Sequence, residues 1–270
     1  MTLGAAAPSC ALVTGACSGI GLQIAHELAA RGYSLALVSN RGTELRAAAA
    51  DIAALHGVAA HAIVADLARP EAALALHDEV ARLGLQVDML VSNAGMLLFG
   101  EVADVDPAKA GAMMQLHVVT PGLLAIYFGR EMRARGSGHI MLVSSASSWC
   151  DFPGIAFYGS SKRFLRSFAS SLREELRPWG VNVTCLAPGA VATNLYGRET
   201  GPAAAASRLG VLKDPADVAR AAVEGMLRHK ALVLPGASAK LMAWGAAMTP
   251  RWLIRLARAR TGFLPRPPAS

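Results

Sequence analysis

The sequence predicts a single α/β domain of the Rossmann type over residues 1–235, with a doubly wound, seven-stranded parallel sheet. Three observations carry this prediction. Segments of strand length are almost continuously apolar, and they alternate with longer alanine-rich segments. Neither an internal repeat nor a long low-complexity linker interrupts the alternation. Because crossover helices cover both faces of a parallel sheet, its strands are apolar on both sides. Residues 236–270 are predicted to form a basic, amphipathic C-terminal tail.

The strands are predicted from aliphatic and β-branched segments of strand length. They occupy residues 10–15, 34–39, 60–66, 88–93, 139–145, 181–188 and 231–235. Alanine-rich stretches between them predict helices at residues 19–31, 43–56, 70–83, 107–135, 157–177 and 215–229. The stretch "GPAAAASRLG" at 201–210 is expected to be mobile.

The composition is that of a globular protein with a large core. Hydrophobic residues make up 53% of the 270 residues and charged residues 17%, which excludes a disordered chain. No apolar run approaches the roughly 18–20 residues that cross a bilayer, and the N-terminus lacks a basic segment followed by a cleavable apolar one. We therefore expect a cytoplasmic protein. The four cysteines form no CxxC pair and have no zinc-like spacing with histidine, so we expect reduced thiols and no metal.

The net charge of +7 is concentrated near the C-terminus. Residues 231–270 contain six basic residues and no acidic residue, so the rest of the chain is nearly neutral. A cationic groove spread over the main domain is therefore absent, and we expect no nucleic-acid partner.

The C-terminal tail has a basic amphipathic pattern within 250–260. Arginines fall on one helical face, and apolar residues such as Trp252 fall largely on the opposite face. Upstream, Leu241, Trp244 and Met248 recur at helical spacing. Two interpretations stay open: the apolar side docks on the domain or on a partner subunit, or the tail makes a peripheral contact with an anionic membrane.

A glycine-rich stretch, "TGACSGIG" at 14–21, follows the first strand and opens the first helix. Ligands of such sheets bind at the carboxyl ends of the strands. Glycines permit a tight turn and a close approach of the backbone to a pyrophosphate, while the helix N-terminus offers unpaired N–H groups to the anion. The pattern favours dinucleotide binding. A turn that only packs the helix on the strand is the alternative.

Tyr158 and Lys162 lie four residues apart in the predicted helix 157–177, which places them on one helical face. In isolation, this pair fits a packed tyrosine beside a lysine that extends to the surface. A second interpretation comes from the order in which this pair and other motifs occur.

Five motifs of the sequence resemble, in order and spacing, those of the short-chain dehydrogenase/reductase family in its compact branch. The resemblance extends over roughly residues 9–235. The motifs are "TGACSGIG" (14–21), "SNAG" (92–95), Ser145, the pair Tyr158 and Lys162, and "PGAVAT" (188–193).

The resemblance implies that Tyr158 exchanges a proton with a carbonyl or alcohol oxygen while hydride passes to or from a nicotinamide. An ordinary tyrosine has a pKa of about 10, and moving it towards 7 requires about 4 kcal/mol of stabilisation of the phenolate. The Lys162 ammonium and an oxidised nicotinamide would supply it. Ser145 would donate a hydrogen bond to the substrate oxygen. Ser144 is expected to face the other side of the strand, because strand side chains alternate.

The resemblance also implies a set of cofactor contacts. They come from the motifs above and from the ends of the second and third strands. The residues are Gly15, Cys17, Ser18, Gly19, Ile20, Gly21, Asn40, Arg41, Asp66, Leu67, Asn93, Ala94, Gly95, Tyr158, Lys162, Pro188, Gly189, Val191 and Thr193.

The chain departs from the family at His117, where an asparagine usually supports a kink and a proton-relay water. Imidazole can donate one hydrogen bond and accept another, so His117 could take over the relay and is counted with the catalytic residues. It could equally fill space while the relay is weakened.

The end of the second strand favours NADP(H) over NAD(H). NAD-dependent enzymes commonly place a carboxylate there for the ribose 2′-hydroxyl, whereas an arginine nearby suits a 2′-phosphate. Ser39 occupies the position of the acid, and Arg41 follows Asn40. Arg41 is one place later than the usual arginine, so a side chain that points to solvent is the alternative.

The sequence therefore predicts an NADP(H)-dependent oxidoreductase acting on the ketone/alcohol pair of an apolar, lipid-, steroid- or polyketide-like molecule. The apolar residues expected near the pocket mouth are Leu97, Leu98, Phe99, Trp149, Phe152 and Tyr196. Two alternatives stay open: a non-catalytic protein that keeps the cofactor-binding fold, and a family member with a non-redox reaction. The resemblance implies a homodimer or homotetramer paired through helices 107–135 and 157–177.

Overall fold

The computed structural model describes residues 9–192 and 213–250, together with Trp252 and Ile254. In these residues seven parallel strands form one sheet in the order β3-β2-β1-β4-β5-β6-β7. The predicted sheet is therefore confirmed. The strands are β1 Cys10–Thr14, β2 Ser34–Ser39, β3 Ala60–Val64, β4 Val87–Ser92, β5 Gly138–Val143, β6 Val181–Leu186 and β7 Leu232–Val233.

Helices follow the strands, as the alternation predicts. The α-helices of the described residues are α1 Gly19–Ala29, α2 Gly42–His56, α3 Ala72–Arg82, α4 Pro107–Met114, α5 Thr120–Arg135, α6 Ala156–Leu176, α7 Pro215–Leu227 and α8 Gly236–Met248. The predicted helix 107–135 is interrupted by a π turn, Gln115–Val119, which joins α4 to α5. Short 3₁₀ helices occupy Val102–Asp104, Ala146–Trp149 and Arg177–Trp179.

The sheet buries both faces, which is why its strands read as continuous apolar segments. All five residues of β1 are buried. Leu12 faces the core under α3, α5 and α6, whereas Val13 faces the core under α1, α2 and α7, because neighbouring strand residues point to opposite faces. Phe128 and Ile24 are among the largest buried side chains of these two cores.

The strand order reverses between β1 and β4, and this reversal determines where a ligand-binding crevice forms. From β1 the chain runs outward to β2 and β3, then crosses to β4 on the other side. The connections therefore diverge at the carboxyl ends of β1 and β4 and leave a crevice there. Thr14 ties these ends together: its Oγ1 donates to the Val91 carbonyl (3.3 Å) and accepts from the backbone N–H groups of Asn93 (2.9 Å) and Ala94 (3.0 Å).

One stretch of the described residues, Pro107–Arg135, is helical, long and apolar enough to cross a membrane. It is also a core element of the sheet domain, because Leu124, Phe128 and Met132 are buried against the strands. By length and composition this stretch therefore departs from the expectation that no segment could cross a bilayer, although its buried side chains make it part of the sheet domain.

Helix α8 packs on the 3₁₀ helix Ala146–Trp149 through its small side chains. Ala239 and Ala243 are buried there, whereas Leu241, Trp244 and Met248 are 68%, 65% and 65% exposed. These three large residues therefore do not dock on the described part of the domain, whereas docking on a partner subunit stays a prediction. The alanine face is flatter and allows the helix to approach its neighbour closely.

Candidate functional site

A cleft of about 590 Å³ lies at the carboxyl end of the sheet, beside the β1/β4 reversal. Most of the residues predicted to contact a cofactor line it. They are Gly15, Cys17, Ser18, Gly19, Ile20, Asn40, Arg41, Asp66, Leu67, Asn93, Ala94, Gly95, Tyr158 and Lys162.

The glycine-rich turn forms one wall of the cleft and uses its glycines in two ways. Gly15 and Gly19 have φ values of +67° and +57°, a region that other residues adopt at a cost. Gly21 is not in the cleft wall. A Cβ there would overlap the Gly15 carbonyl oxygen and the Asn93 amide, so its role in the structure is to let α1 pack on the turn. Packing of the helix on the turn therefore describes the role of Gly21. Gly15 and Gly19 line the cleft, as the dinucleotide-binding interpretation expects.

Arg41 reaches back across the cleft to this turn. Its Nη2 donates to Ser18 Oγ at 2.6 Å and contacts Cys17 Sγ at 2.9 Å. Ser39 Oγ accepts the Arg41 backbone N–H (3.2 Å) and lies 3.0 Å from Cys17 Sγ. The Arg41 side chain, although exposed, is therefore directed at the glycine-rich turn and not away from it. A cation and three small polar groups converge where β2 ends.

Asp66 lies two residues after β3 ends and is the one carboxylate among the described residues of the cleft wall. Its Oδ1 accepts the Ala68 backbone N–H at 3.1 Å. The neighbouring Leu67 carbonyl accepts from Thr120 Oγ1 at 2.8 Å. This loop is thereby fixed to the start of α5.

Tyr158 and Lys162 lie in the first two turns of α6 and line the cleft together. Lys162 Nζ is 5.8 Å from the centroid of the tyrosine ring. The ammonium donates to the Val143 carbonyl at 3.0 Å, and burial lowers the pKa of Lys162 to about 8. Ser144 Oγ donates to the Lys162 carbonyl at 2.6 Å, so Ser144 anchors α6 to the end of β5. The pair is held in a desolvated position beside the cleft, where a charge acts strongly on its neighbours.

Ser145 is outside the described cleft wall, buried in the turn that follows β5. Its Oγ accepts two hydrogen bonds from Ser147, from the backbone N–H at 3.1 Å and from the hydroxyl at 3.0 Å. A serine hydroxyl has two acceptor sites and one proton. With both acceptor sites used, the Ser145 proton is the group that this side chain can offer to a substrate oxygen.

His117 lies in the π turn, is fully buried and has both ring nitrogens engaged. Its Nε2 lies 3.0 Å from the Met96 backbone N–H, which can only donate, so Nε2 is the acceptor. Nδ1, 2.9 Å from Ser161 Oγ, therefore carries the proton and donates. Ser161 Oγ in turn donates to the Tyr158 carbonyl at 2.8 Å.

The electrostatics of His117 agree with this neutral tautomer. Burial, and secondarily the Lys162 charge, lower the pKa of His117 to about 2. A ring that stays neutral and has both nitrogens occupied cannot shuttle protons without breaking these bonds. The geometry thus favours the space-filling and anchoring interpretation of His117 over the relay.

The motif after β6 supports the site from outside the cleft wall. Pro188, Gly189 and Val191 do not line the cleft. The Pro188 carbonyl accepts the Ala146 backbone N–H at 2.8 Å, which holds the turn of Ser145, and Val191 is buried in the core. Thr193 lies outside the described residues, as do Tyr196 and the segment 201–210.

Several residues that shape the site are not among the predicted ones. Thr14 carried a sequence signal, as the last residue of a strand before a glycine turn. The others are Val143, which receives the Lys162 hydrogen bond, and Ser144, Ser147 and Ser161, which hold backbone or side-chain partners of the site. Val143 and Ser144 act through contacts between distant segments, whereas Ser147 and Ser161 bond residues two and three positions away.

Comparison with known proteins agrees with this geometry. A family model described as "short chain dehydrogenase" matches residues 9–201. The uncharacterized oxidoreductase YmfI of Bacillus subtilis (strain 168) is 37% identical over 191 residues, which are 70% of this chain and 78% of that protein.

Solved structures agree over a greater length. A short-chain dehydrogenase from Sphingobium yanoikuyae in complex with NADPH has a TM-score of 0.79 and 27% identity, over 97% of this chain and 98% of that one. A 7β-hydroxysteroid dehydrogenase has a TM-score of 0.82 and 25% identity, over 92% of this chain and 96% of that one.

Proposed function

The chain belongs to the short-chain dehydrogenase/reductase family and is an NAD(P)-dependent oxidoreductase, and we propose that it interconverts a ketone and a secondary alcohol with NADP(H). One observation carries the proposal: Tyr158 and Lys162 stand together in the wall of the cleft that the glycine-rich turn also lines. A tyrosine that only packs in a core would not share a cleft with a buried lysine.

A bound nicotinamide supplies or accepts the hydride. In the reductive direction the Tyr158 hydroxyl donates its proton to the carbonyl oxygen, and the Lys162 ammonium stabilises the phenolate that remains. The Ser145 hydroxyl donates a hydrogen bond to the same oxygen and orients the carbonyl. His117 keeps Tyr158 in position through Ser161 and the tyrosine backbone.

Turnover of apolar ketones is the direct test. We expect the purified protein to consume NADPH in the presence of some members of a panel of hydrophobic cyclic and aromatic ketones, followed by the loss of nicotinamide absorbance. Cofactor binding without consumption across the panel would favour the non-catalytic alternative. A product formed without change in the nicotinamide would favour a non-redox reaction.

The preference for NADP(H) is supported by the polar cluster at the end of β2. Arg41 beside Ser18 and Cys17 presents a cation where a ribose 2′-substituent is expected, and Ser39 leaves that place without a carboxylate. A 2′-phosphate would replace part of the contact between Arg41 and Ser18 with a charge-assisted hydrogen bond.

We expect Arg41→Ala to raise the KM for NADPH by about 10- to 100-fold, because it removes one charge-assisted hydrogen bond, and to change the KM for NADH little. Steady-state kinetics with both cofactors measure this. Arg46→Ala is the matched control, since Arg46 lies in the first turns of α2, the helix that begins directly after Arg41, and is outside the cleft wall. An equal loss with both cofactors would contradict the proposed 2′-phosphate contact.

An apolar substrate is supported by the residues beside the cleft. Leu97 is in the cleft wall, and Phe99 is 42% exposed two residues later. The backbone N–H of Gly100 donates to the Gly154 carbonyl at 2.8 Å, which brings the loop of Leu97 and Phe99 next to the loop of Phe152. Large apolar side chains on two adjoining loops suit a hydrophobic molecule.

A homodimer or homotetramer and a cytoplasmic location are also proposed. Pairing through the long helices is supported by exposed apolar side chains on the turn before α5 and on the helices themselves, namely Val119, Ile126 and Phe164. A peripheral membrane contact through 250–260 falls almost entirely outside the described residues and is supported by sequence alone.

A further inference from the structure

We propose that the exposed face of α8 is a membrane-docking surface for anionic bilayers. This face, which we call the α8 apolar face, consists of Leu241, Trp244 and Met248. Each of the three is about two-thirds exposed, with 68%, 65% and 65% of the residue accessible. At about 100° per residue they fall within about 60° of one another around the helix, on the side away from the buried Ala239 and Ala243.

The composition of this face suits the boundary between water and lipid. Tryptophan combines a large apolar ring with an N–H donor and is enriched where headgroups meet acyl chains. Trp252, which follows α8, is 64% exposed as well. Four large, solvent-exposed apolar residues within one short stretch of chain are unusual for a surface that binds nothing.

The positive charge of this region favours an anionic bilayer over a second copy of the chain as the binding partner of the α8 apolar face. Residues 231–270 contain six basic residues and no acidic one, and Lys240 is exposed on α8 itself. Two copies joined through this region would bring like charges together. A membrane containing anionic lipids places opposite charge against the same region.

The position of α8 connects this surface with the site. The helix packs on the turn Ala146–Trp149, which begins directly after Ser145. A bilayer on the opposite side of α8 would therefore lie about 10 Å, one helix diameter, from that turn. With the apolar substrate proposed above, on which this consequence rests, attachment would place the enzyme where such molecules dissolve.

The test is co-sedimentation of the full chain with vesicles of phosphatidylcholine alone or mixed with phosphatidylglycerol, without cofactor or substrate. We expect sedimentation with the mixed vesicles, weakened by added salt. The triple variant Leu241→Ser/Trp244→Ser/Met248→Ser should bind the mixed vesicles at least about tenfold more weakly than the wild type. The control Leu55→Ser/Leu74→Ser changes two exposed leucines on α2 and α3 and should bind like the wild type.

A second measurement does not depend on the triple variant folding. Acyl chains brominated near the headgroup should quench the tryptophan fluorescence of the wild-type protein, and Trp244→Phe should remove part of the quenched signal. The proposal is overturned if the wild type stays in the supernatant, or if the triple variant sediments unchanged. It is also overturned if, without vesicles, the triple variant dissociates to a smaller oligomer, because a second copy then covers the face. Ketone reduction measured without vesicles reports on the proposed reaction separately.

Discussion

Replacing Tyr158 by phenylalanine is expected to lower kcat for ketone reduction by about 10² to 10⁴-fold, the usual contribution of a positioned acid or base. The substitution removes one oxygen and keeps the ring in its buried place, where it meets the His117 ring edge-on at a centroid distance of 5.9 Å. The fold and the cofactor cleft should therefore persist. Turnover and NADPH binding, measured on the same preparation, separate the lost proton donor from a lost site.

Tyr127→Phe is the matched control for this experiment. Tyr127 is on α5, packs near His77 and is not in the cleft wall, so its hydroxyl should not affect turnover. If Tyr158→Phe reduces ketones at the rate of the control, the proton comes from another group and the proposed role of Tyr158 is wrong.

The activity of the wild-type enzyme is expected to fall as the pH rises above about 8, because Lys162 then loses its proton. Burial lowers the pKa of Lys162 from 10.5 to about 8, so the stabilising ammonium is present below that pH and disappears above it. The pH dependence of kcat/KM for ketone reduction reports this ionisation in the unliganded enzyme. Lys162→Met should lose about 10² to 10⁴-fold in kcat/KM and should also lose this dependence on Lys162 ionisation.

Two comparisons make the assignment to Lys162 specific. His117→Asn should keep the decline near pH 8, because the imidazole, with a pKa of about 2, does not titrate in this range.

Thermal unfolding of Lys162→Met checks that the fold remains. The lysine binds its proton less tightly in the folded chain than in the unfolded one, so its burial penalty is full below about pH 8 and declines between 8 and 10.5. A pH decline that survives in Lys162→Met would assign it to another group.

The α/β class, the parallel sheet and most element boundaries followed from the sequence, because burial on both faces of a strand dictates its composition over five or six consecutive residues. The ends of the strands were predicted less well. The third strand ends at Val64, before Asp66, and the seventh is reduced to Leu232–Val233. Where a strand stops depends on which hydrogen-bonding neighbour continues beside it, and that neighbour is distant in sequence.

The candidate site divides in the same way. Spacing alone put Tyr158 and Lys162 on one helical face, since residues four apart in a helix are always neighbours. Spacing could not decide whether His117 takes part in a proton relay or fills space, or in which direction the Arg41 side chain points. His117 is fixed by the Met96 N–H and by Ser161, and Arg41 by Ser18, partners at sequence separations of 21, 44 and 23 residues.

Sequence by itself therefore determined the layers of this protein and the local pairs of its site, because helix and strand periodicity are properties of consecutive residues. Tertiary structure alone decided which nitrogen of His117 carries a proton, and that α8 turns its alanines inward. These outcomes depend on directional hydrogen bonds and close packing between segments that only the folded chain brings together.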